Sequence, residues 1–392
     1  MSSTEDSSPL NVEAAVRERY GAAAAASEPA LCCPVSYDPQ FLKIIPSEII
    51  ERDYGCGDPS QHLQAGDHVL DLGSGGGKIC YIAAQVVGAS GYVIGVDIND
   101  QMLGLARQYQ TQVADSIGYH NTDFRKGRIQ DLQLNMELFE EHLQNNPVNS
   151  ASGWLAADEA AQKLRKDHPL VASESMDAVV SNCVLNLVRN EDRRQLFAEV
   201  YRVLKHGGRA IISDIVSDED VPKSLQNNGE LWSGCISGAF REDRFLEAFE
   251  EAGFYGIEIV DRQKEAWAVV EGIEFRSMTV RAWKGKDGPC LDRHHAVVYN
   301  GPWKTVIDDD GHQLLRGKRT AVCEKTYNIY STGPYASQIT PLAPARIVPL
   351  EQAADFDCHG AAIRDPRETK QGNPTLHQLP GQDCCGDNGT CC

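Results

Sequence analysis

The chain has 392 residues, 42% of them apolar and 24% charged, an ordinary globular balance that excludes a wholly disordered or collagen-like polypeptide and suggests two or three domains. Its net charge of −19 argues against nucleic acid as a partner, since sequence-independent phosphate binding needs excess Lys and Arg. The longest apolar run near either end, Ala22 to Ala26, is far short of the ~20 residues that span a bilayer, so no membrane partner is expected.

Taken in chain order, residues 1–45 read as a mobile N-terminal arm, polar and then alanine-rich, with a helix within 12–26. Residues 46–225 alternate strands and helices. An apolar run at 68–72 enters a glycine loop, and a helix over 78–87 carries Ile79, Ile82, Ala83 and Val86 on one face. A strand at 92–97, a helix at 102–113 and a strand at 123–129 follow. Residues 133–175 are polar and read as a surface insertion before a strand at 177–181. Leu196, Phe197, Val200, Val203 and Leu204 then mark a helix over 191–206, stopped by Gly207-Gly208 before a strand at 209–214. This alternation predicts an α/β fold with a mostly parallel, doubly wound sheet. A smaller α+β domain is expected over 226–287, with a helix at 242–252, and a C-terminal domain over 288–354. Residues 355–392 are polar, rich in Pro and Gly, and expected to be disordered.

Asp71-Leu-Gly-Ser-Gly-Gly-Gly77 lies between strand and helix, where glycines let a ligand approach the backbone and the helix N-terminus. Asp97 ends the next strand, where a carboxylate can accept hydrogen bonds from both ribose hydroxyls of a nucleoside cofactor. Lys78 stands where a dinucleotide loop carries its last glycine, and Asp71 before the loop favours S-adenosylmethionine over a dinucleotide.

The chain carries 13 cysteines, an odd number, and its acidic start has no basic signal region; a reducing cytoplasmic location with mostly free thiols is expected. Cys183 follows the fourth strand at the sheet edge where ligands bind. Cys56 and Cys235 sit in glycine-flanked loops. Three such thiols are able to hold one soft, thiophilic ion, although spacing alone leaves their meeting open. Cys80 and Cys323 read as packing residues and His294-His295 as a solvated pair. Cys32-Cys33 and the tail pairs Cys384-Cys385 and Cys391-Cys392 read as exposed, reactive thiols.

Tyr54-Gly-Cys-Gly57, Asp71-Leu-Gly-Ser-Gly75, Ser181-Asn-Cys-Val184, Arg202-Val-Leu-Lys-His-Gly-Gly208 and Gly234-Cys-Ile-Ser-Gly-Ala239 together resemble the arsenite S-adenosylmethionine methyltransferases, over about residues 30–325 and again at the Cys-Cys-Gly tail. The resemblance implies a Rossmann-like class I methyltransferase sheet, a smaller arsenic-binding domain and a C-terminal domain. It implies that Cys56, Cys183 and Cys235 bind trivalent arsenic, and that Cys32 or Cys33 forms a disulfide with Cys56 during turnover. Tyr54 is expected at the sulfonium, Asp71, Gly73, Ser74 and Gly75 at the methionine end, and Asp97 at the ribose. Ile98 and Met102 are expected beside the adenine, Ile129 over it from the third strand, and Asn182 at the cofactor. Arsenite or its glutathione conjugate is the implied substrate, glutathione or thioredoxin the implied reductant, and a monomer the expected state. A methyltransferase of another small molecule and a metalloid-binding protein are the competing readings.

Overall fold

The computed structural model describes residues 11–25, 35–52, 54–360 and 362–371, so Cys32, Cys33 and the four tail cysteines lie outside the described residues. The chain divides into two compact units, Met1–Gly285 and Lys286–Cys392.

The first unit opens with helix α1 (Val12–Ala25) and the short helices α2 (Pro39–Leu42) and α3 (Ser47–Glu51). Strands β1 (His68–Leu72), β2 (Tyr92–Asp97) and β3 (Thr122–Lys126) alternate with α4 (Lys78–Val87) and α5 (Asp100–Ile117). The Asn99 side chain caps α5 by accepting from the Gln101 and Met102 amides, and Gly118 closes it in the left-handed conformation. β3 ends at Lys126, so Ile129 lies in the turn beyond the strand rather than on it.

The expected insertion is two helices, α6 (Met136–Asn145) and α7 (Ala151–Asp167), leading into β4 (Met176–Asn182). Helix α8 (Arg193–Val203) then passes directly into β5 (Leu204–Ser217). Gly207 is therefore not the helix stop expected of it. It lies in an irregular stretch of β5, where the register against β4 shifts between Met176 and Ala178.

Next come α9 (Lys223–Gln226), α10 (Gly229–Ser233), β6 (Phe240–Arg241), α11 (Glu242–Glu251), β7 (Tyr255–Arg262), β8 (Ala268–Val270) and β9 (Ile273–Trp283). β7 and β9 extend the same sheet, whose order is β3-β2-β1-β4-β5-β9-β7. The residues expected to form a separate smaller domain thus share one sheet with the nucleoside fold. β1 to β5 run parallel, and β9 is antiparallel to both β5 and β7. Strand side chains alternate between two apolar layers: Leu70 and Leu72 face one core, Val69 the other. Both faces are covered, which is why these strands read as continuous apolar runs. The order reverses between β1 and β4, and a crevice opens at their carboxyl ends.

The second unit contains β10 (Leu291–Asp292), β11 (Ala296–Tyr299), β12 (Thr305–Ile307), β13 (Gln313–Leu315), β14 (Arg319–Ala321), α12 (Glu324–Tyr330), β15 (Ile339–Leu342), β16 (Ala354–Asp355) and α13 (Pro366–Lys370). β10 pairs with β16, and residues up to 371 are described. The expected disorder from Asp355 therefore does not hold for this stretch. His295 is 3% exposed and stacks near Tyr327, with ring centroids 4.4 Å apart, so it is not solvated. No helix among the described residues is long and apolar enough to cross a membrane.

Candidate active site

The glycine loop joins β1 to the N-terminus of α4. Gly73 has φ +70°, and a Cβ there would lie 2.4 Å from Val184 Cγ1, so only glycine fits. Gly75 has φ +50° and faces open space, and its amide donates to Asp97 Oδ2 at 2.9 Å. The other Asp97 oxygen accepts from the Asn99 amide at 2.8 Å. Burial holds this carboxyl above its usual range, and the amides of Asn99 and Gly75 oppose the shift. Asp71 is buried and accepts a hydrogen bond from the Cys80 thiol at 3.2 Å. Cys80 thus packs as expected but also has a polar partner.

A cavity opens over this loop. Its walls include Tyr54, Asp71, Gly73, Ser74, Gly75, Asp97, Ile98, Met102, Ile129, Asn182 and Cys183. Ser74 Oγ is buried without a hydrogen-bond partner. An orphaned hydroxyl, a helix N-terminus and a ribose-height carboxylate around one cavity fit S-adenosylmethionine.

Behind the cavity lies an apolar cluster that contains Cys56, Cys183 and Cys235 together with Ile215, Ile236 and Phe275. The Cys56 and Cys183 sulfurs and an Asp214 carboxylate oxygen all lie within 4.8 Å of one another. Cys235 Sγ is 3.4 Å from the Cys183 carbonyl oxygen. Cys183 and Cys235 both have φ +62°, a left-handed conformation that costs a non-glycine residue about 1–2 kcal/mol. Strain of this kind collects at functional sites.

Asn182, expected at the cofactor, walls the cavity and also holds the Cys56 loop. Its Oδ1 accepts from the Cys56 and Gly57 amides at 2.9 and 3.0 Å, and its Nδ2 donates to the Gly57 carbonyl and the Tyr37 hydroxyl. A Cβ on Gly55 would lie 2.2 Å from Asn182 Nδ2, which explains one of the glycines flanking Cys56. Ser277 Oγ on β9 fixes the loop from the other side, donating to the Cys56 carbonyl at 2.6 Å.

Two groups escape the sequence reading. Asp214 on β5 is fully buried, and burial pushes its carboxyl up to about 6 against hydrogen bonds from Ile215 and Asn186 and the charge of Arg193. In the sequence it is the acid that ends the strand expected at 209–214, which the structure extends to Ser217. Tyr20 belongs to α1, whose residues Glu13, Val16, Arg17 and Tyr20 wall the cavity. Burial, then the charges of Cys235 and Cys183, raise the Tyr20 hydroxyl well above its usual range, and it hydrogen-bonds Cys235. Arg19 holds α1 to α10, donating to the Glu230 carbonyl at 2.8 Å and Ser233 Oγ at 3.0 Å. This helix, expected to be mobile, is docked over the site. Tyr54 stands edge-on to Tyr20 at 6.1 Å and donates to the Ala23 carbonyl at 3.0 Å.

The sheet order and the glycine-loop cavity define an S-adenosylmethionine-dependent methyltransferase. A family model described as a methyltransferase domain matches residues 63–153 and 156–253, and one described as a domain of unknown function matches 286–374. The arsenite methyltransferase of Aquipseudomonas alcaligenes is 32% identical over 321 residues, 78% of this chain and 82% of the relative. The human arsenite methyltransferase is 28% identical over 90% of this chain and 88% of its own length. The crystal structure of an arsenic(III) S-adenosylmethionine methyltransferase from Chlamydomonas reinhardtii superposes with a TM-score of 0.53 at 25% identity, covering 85% of this chain and all of that one. The chain belongs to the arsenite methyltransferase family.

Proposed function

We propose that this enzyme methylates trivalent arsenic: first arsenite, held by the sulfurs of Cys56, Cys183 and Cys235, and then methylarsenite, whose As–C bond leaves two As–S bonds to hold it. The observation that carries the reading is the burial of these three cysteines in one apolar cluster, with Cys183 also walling the nucleoside cavity. On loading, each thiol proton leaves with an arsenite hydroxyl as water, and three As–S bonds replace three As–O bonds. Asp214, beside Cys56 and Cys183, is the nearby carboxylate able to relay those protons.

Bound S-adenosylmethionine supplies an electrophilic sulfonium methyl group. Asp97, the glycine loop and Met102 orient it, and Tyr54 offers its ring to the sulfonium, a cation–π contact of about 0.5–2 kcal/mol. Arsenic keeps a lone pair when three sulfurs bind it and brings no proton to the reacting bond, so methyl transfer needs no general base. Catalysis rests on proximity and orientation, which supply ~7–11 kcal/mol. The apolar wall of Ile215, Ile236 and Phe275 excludes water from the arsenic.

Methyl transfer leaves arsenic formally pentavalent. Attack of a Cys32 or Cys33 thiolate on the Cys56 sulfur forms a disulfide, breaks one As–S bond and returns the electron pair to arsenic. A thioredoxin-type reductant or glutathione then reopens the disulfide. We infer that the reaction takes arsenite or its glutathione conjugate, proceeds on a cytoplasmic monomer and serves arsenic detoxification.

Replacing Cys183 by Ser should abolish methylation while S-adenosylmethionine binding, measured by calorimetry, is retained. Normal turnover in that variant would remove the three-thiolate model. A methyltransferase of another small molecule would keep its activity in Cys56→Ser and Cys235→Ser. A metalloid-binding protein would take up arsenic without forming S-adenosylhomocysteine.

A further inference from the structure

The second unit holds its own trio of thiols. Cys290, Cys323 and Cys358 each present a sulfur, and all three sulfurs lie within 4.8 Å of one another. They come from distant places in the chain. The pairing of β10 with β16 brings Cys290 and Cys358 together, and the Phe356 amide donates to the Cys290 carbonyl at 2.9 Å. Cys323 stands at the start of α12. The Cys358 and Cys323 sulfurs are 3.8 Å apart. With sulfur–ion bonds of about 2.3 Å, two ligands of one ion sit at most about 4.6 Å apart, so this trio needs at most a small side-chain adjustment to share one.

Cys323 is fully buried, as expected of a packing residue, but burial does not by itself bring three sulfurs together. The apolar core of this unit, built on Val297, Tyr299, Leu314 and Val322, includes none of the three cysteines, whereas Cys80 belongs to the core around it. Cys323 and Cys358 are buried and Cys290 is half-buried, which leaves the cluster an approach from solvent. The sulfurs make polar contacts: Cys323 accepts from the Thr326 amide at 3.4 Å, and Lys325 lies beside Cys290.

We propose that Cys290, Cys323 and Cys358 form a second three-sulfur site, for a trivalent thiophilic metalloid of the arsenite class. Structural zinc takes four ligands, and no His, Asp or Glu joins the three sulfurs in this group among the described residues. A pyramidal ion that needs only three sulfurs and carries a lone pair in the fourth direction fits the donor set. Loading exchanges three As–O bonds for three As–S bonds and releases three waters, each from one thiol proton and one hydroxyl. Arsenic remains trivalent and no electrons move. The site retains arsenic and does not alkylate it.

The test uses the full-length, reduced chain with sodium arsenite as probe. Arsenic per chain is counted by mass spectrometry after desalting, with and without Cys290→Ser, in the native background and in one carrying Cys56→Ser, Cys183→Ser and Cys235→Ser. The expected result is one arsenic fewer per chain on loss of Cys290 in both backgrounds, with S-adenosylmethionine affinity unchanged. Equal arsenic with and without Cys290 overturns the proposal, and so does retention of zinc but not arsenic. A measurement needing no substitution guards against misfolding. Arsenite should protect Cys290, Cys323 and Cys358 of the native chain from iodoacetamide, read peptide by peptide. Unprotected labelling, or a Cys323–Cys358 disulfide in the reduced protein, overturns the assignment.

Discussion

The left-handed backbone at Cys183 and Cys235 reverses a familiar order of substitution. Glycine within regular structure is usually worse than alanine by about 0.5–1 kcal/mol. At φ +62° the Cβ is the source of strain, so Cys183→Gly should be more stable than Cys183→Ala by on the order of 1 kcal/mol, read from denaturant midpoints. Asp214 gives a pH signature. Burial raises its folded carboxyl from the usual 3.8 to about 6, so the folded state holds the proton more tightly than the unfolded chain. Its stabilising contribution is complete below about pH 4 and is lost as pH rises through 6. Asp214→Asn keeps an acceptor for Ile215 and the Asn186 side chain and gives up the 3.3 Å contact from the Asn186 amide. In the arsenic-free chain the variant should therefore gain on the native protein between pH 4 and 7, by on the order of 2 kcal/mol. Asn182→Ala should leave the Cys56 and Gly57 amides unpaired and lower kcat by about 10- to 100-fold. Affinity for S-adenosylhomocysteine should change little.

At the scale of elements, the parallel half of the sheet is legible because strands buried on both faces read as short apolar runs between turn residues. The Asp71–Gly77 loop and Asp97 are legible for the same reason, since their spacing fixes them at adjacent strand ends. The docking of α1 is not legible. Its alanine-rich sequence has almost no apolar stripe, and its placement depends on Arg19 reaching α10 and Tyr20 reaching Cys235. Arg19→Ala removes two of these ties, each worth about 1 kcal/mol. Limited proteolysis should then cut α1 sooner, and methylation should fall more than S-adenosylmethionine binding does. The α8–β5 junction is not legible, because a Gly-Gly pair after an amphipathic run imitates a helix stop, whereas here it serves an irregular strand. The cysteine trio of the second unit escaped because single cysteines at irregular intervals carry no signal until β10 and β16 pair.

At the scale of the molecule, the glycine-loop cavity couples ligand to stability. S-adenosylhomocysteine at about 100 times its Kd should stabilise the chain by about 2.7 kcal/mol, seen as a rise in Tm that scales with ligand concentration. Absence of that rise would exclude the cavity as the nucleoside site. That Cys56, Cys183 and Cys235 share one apolar cluster is not legible from spacing and is implied only by the family resemblance, because loops 50 to 130 or so residues apart leave no periodic trace. A further consequence follows from where the chemistry hangs. Asp71, Asp97 and Asp214 belong to β1, β2 and β5, and Cys183 directly follows β4, all largely buried strands of the first unit, whereas α1 is held by a few polar ties. Amide exchange should therefore be slowest under the reacting groups, at rates set by global unfolding, and fast in α1. The first unit then has a rigid floor and a labile roof.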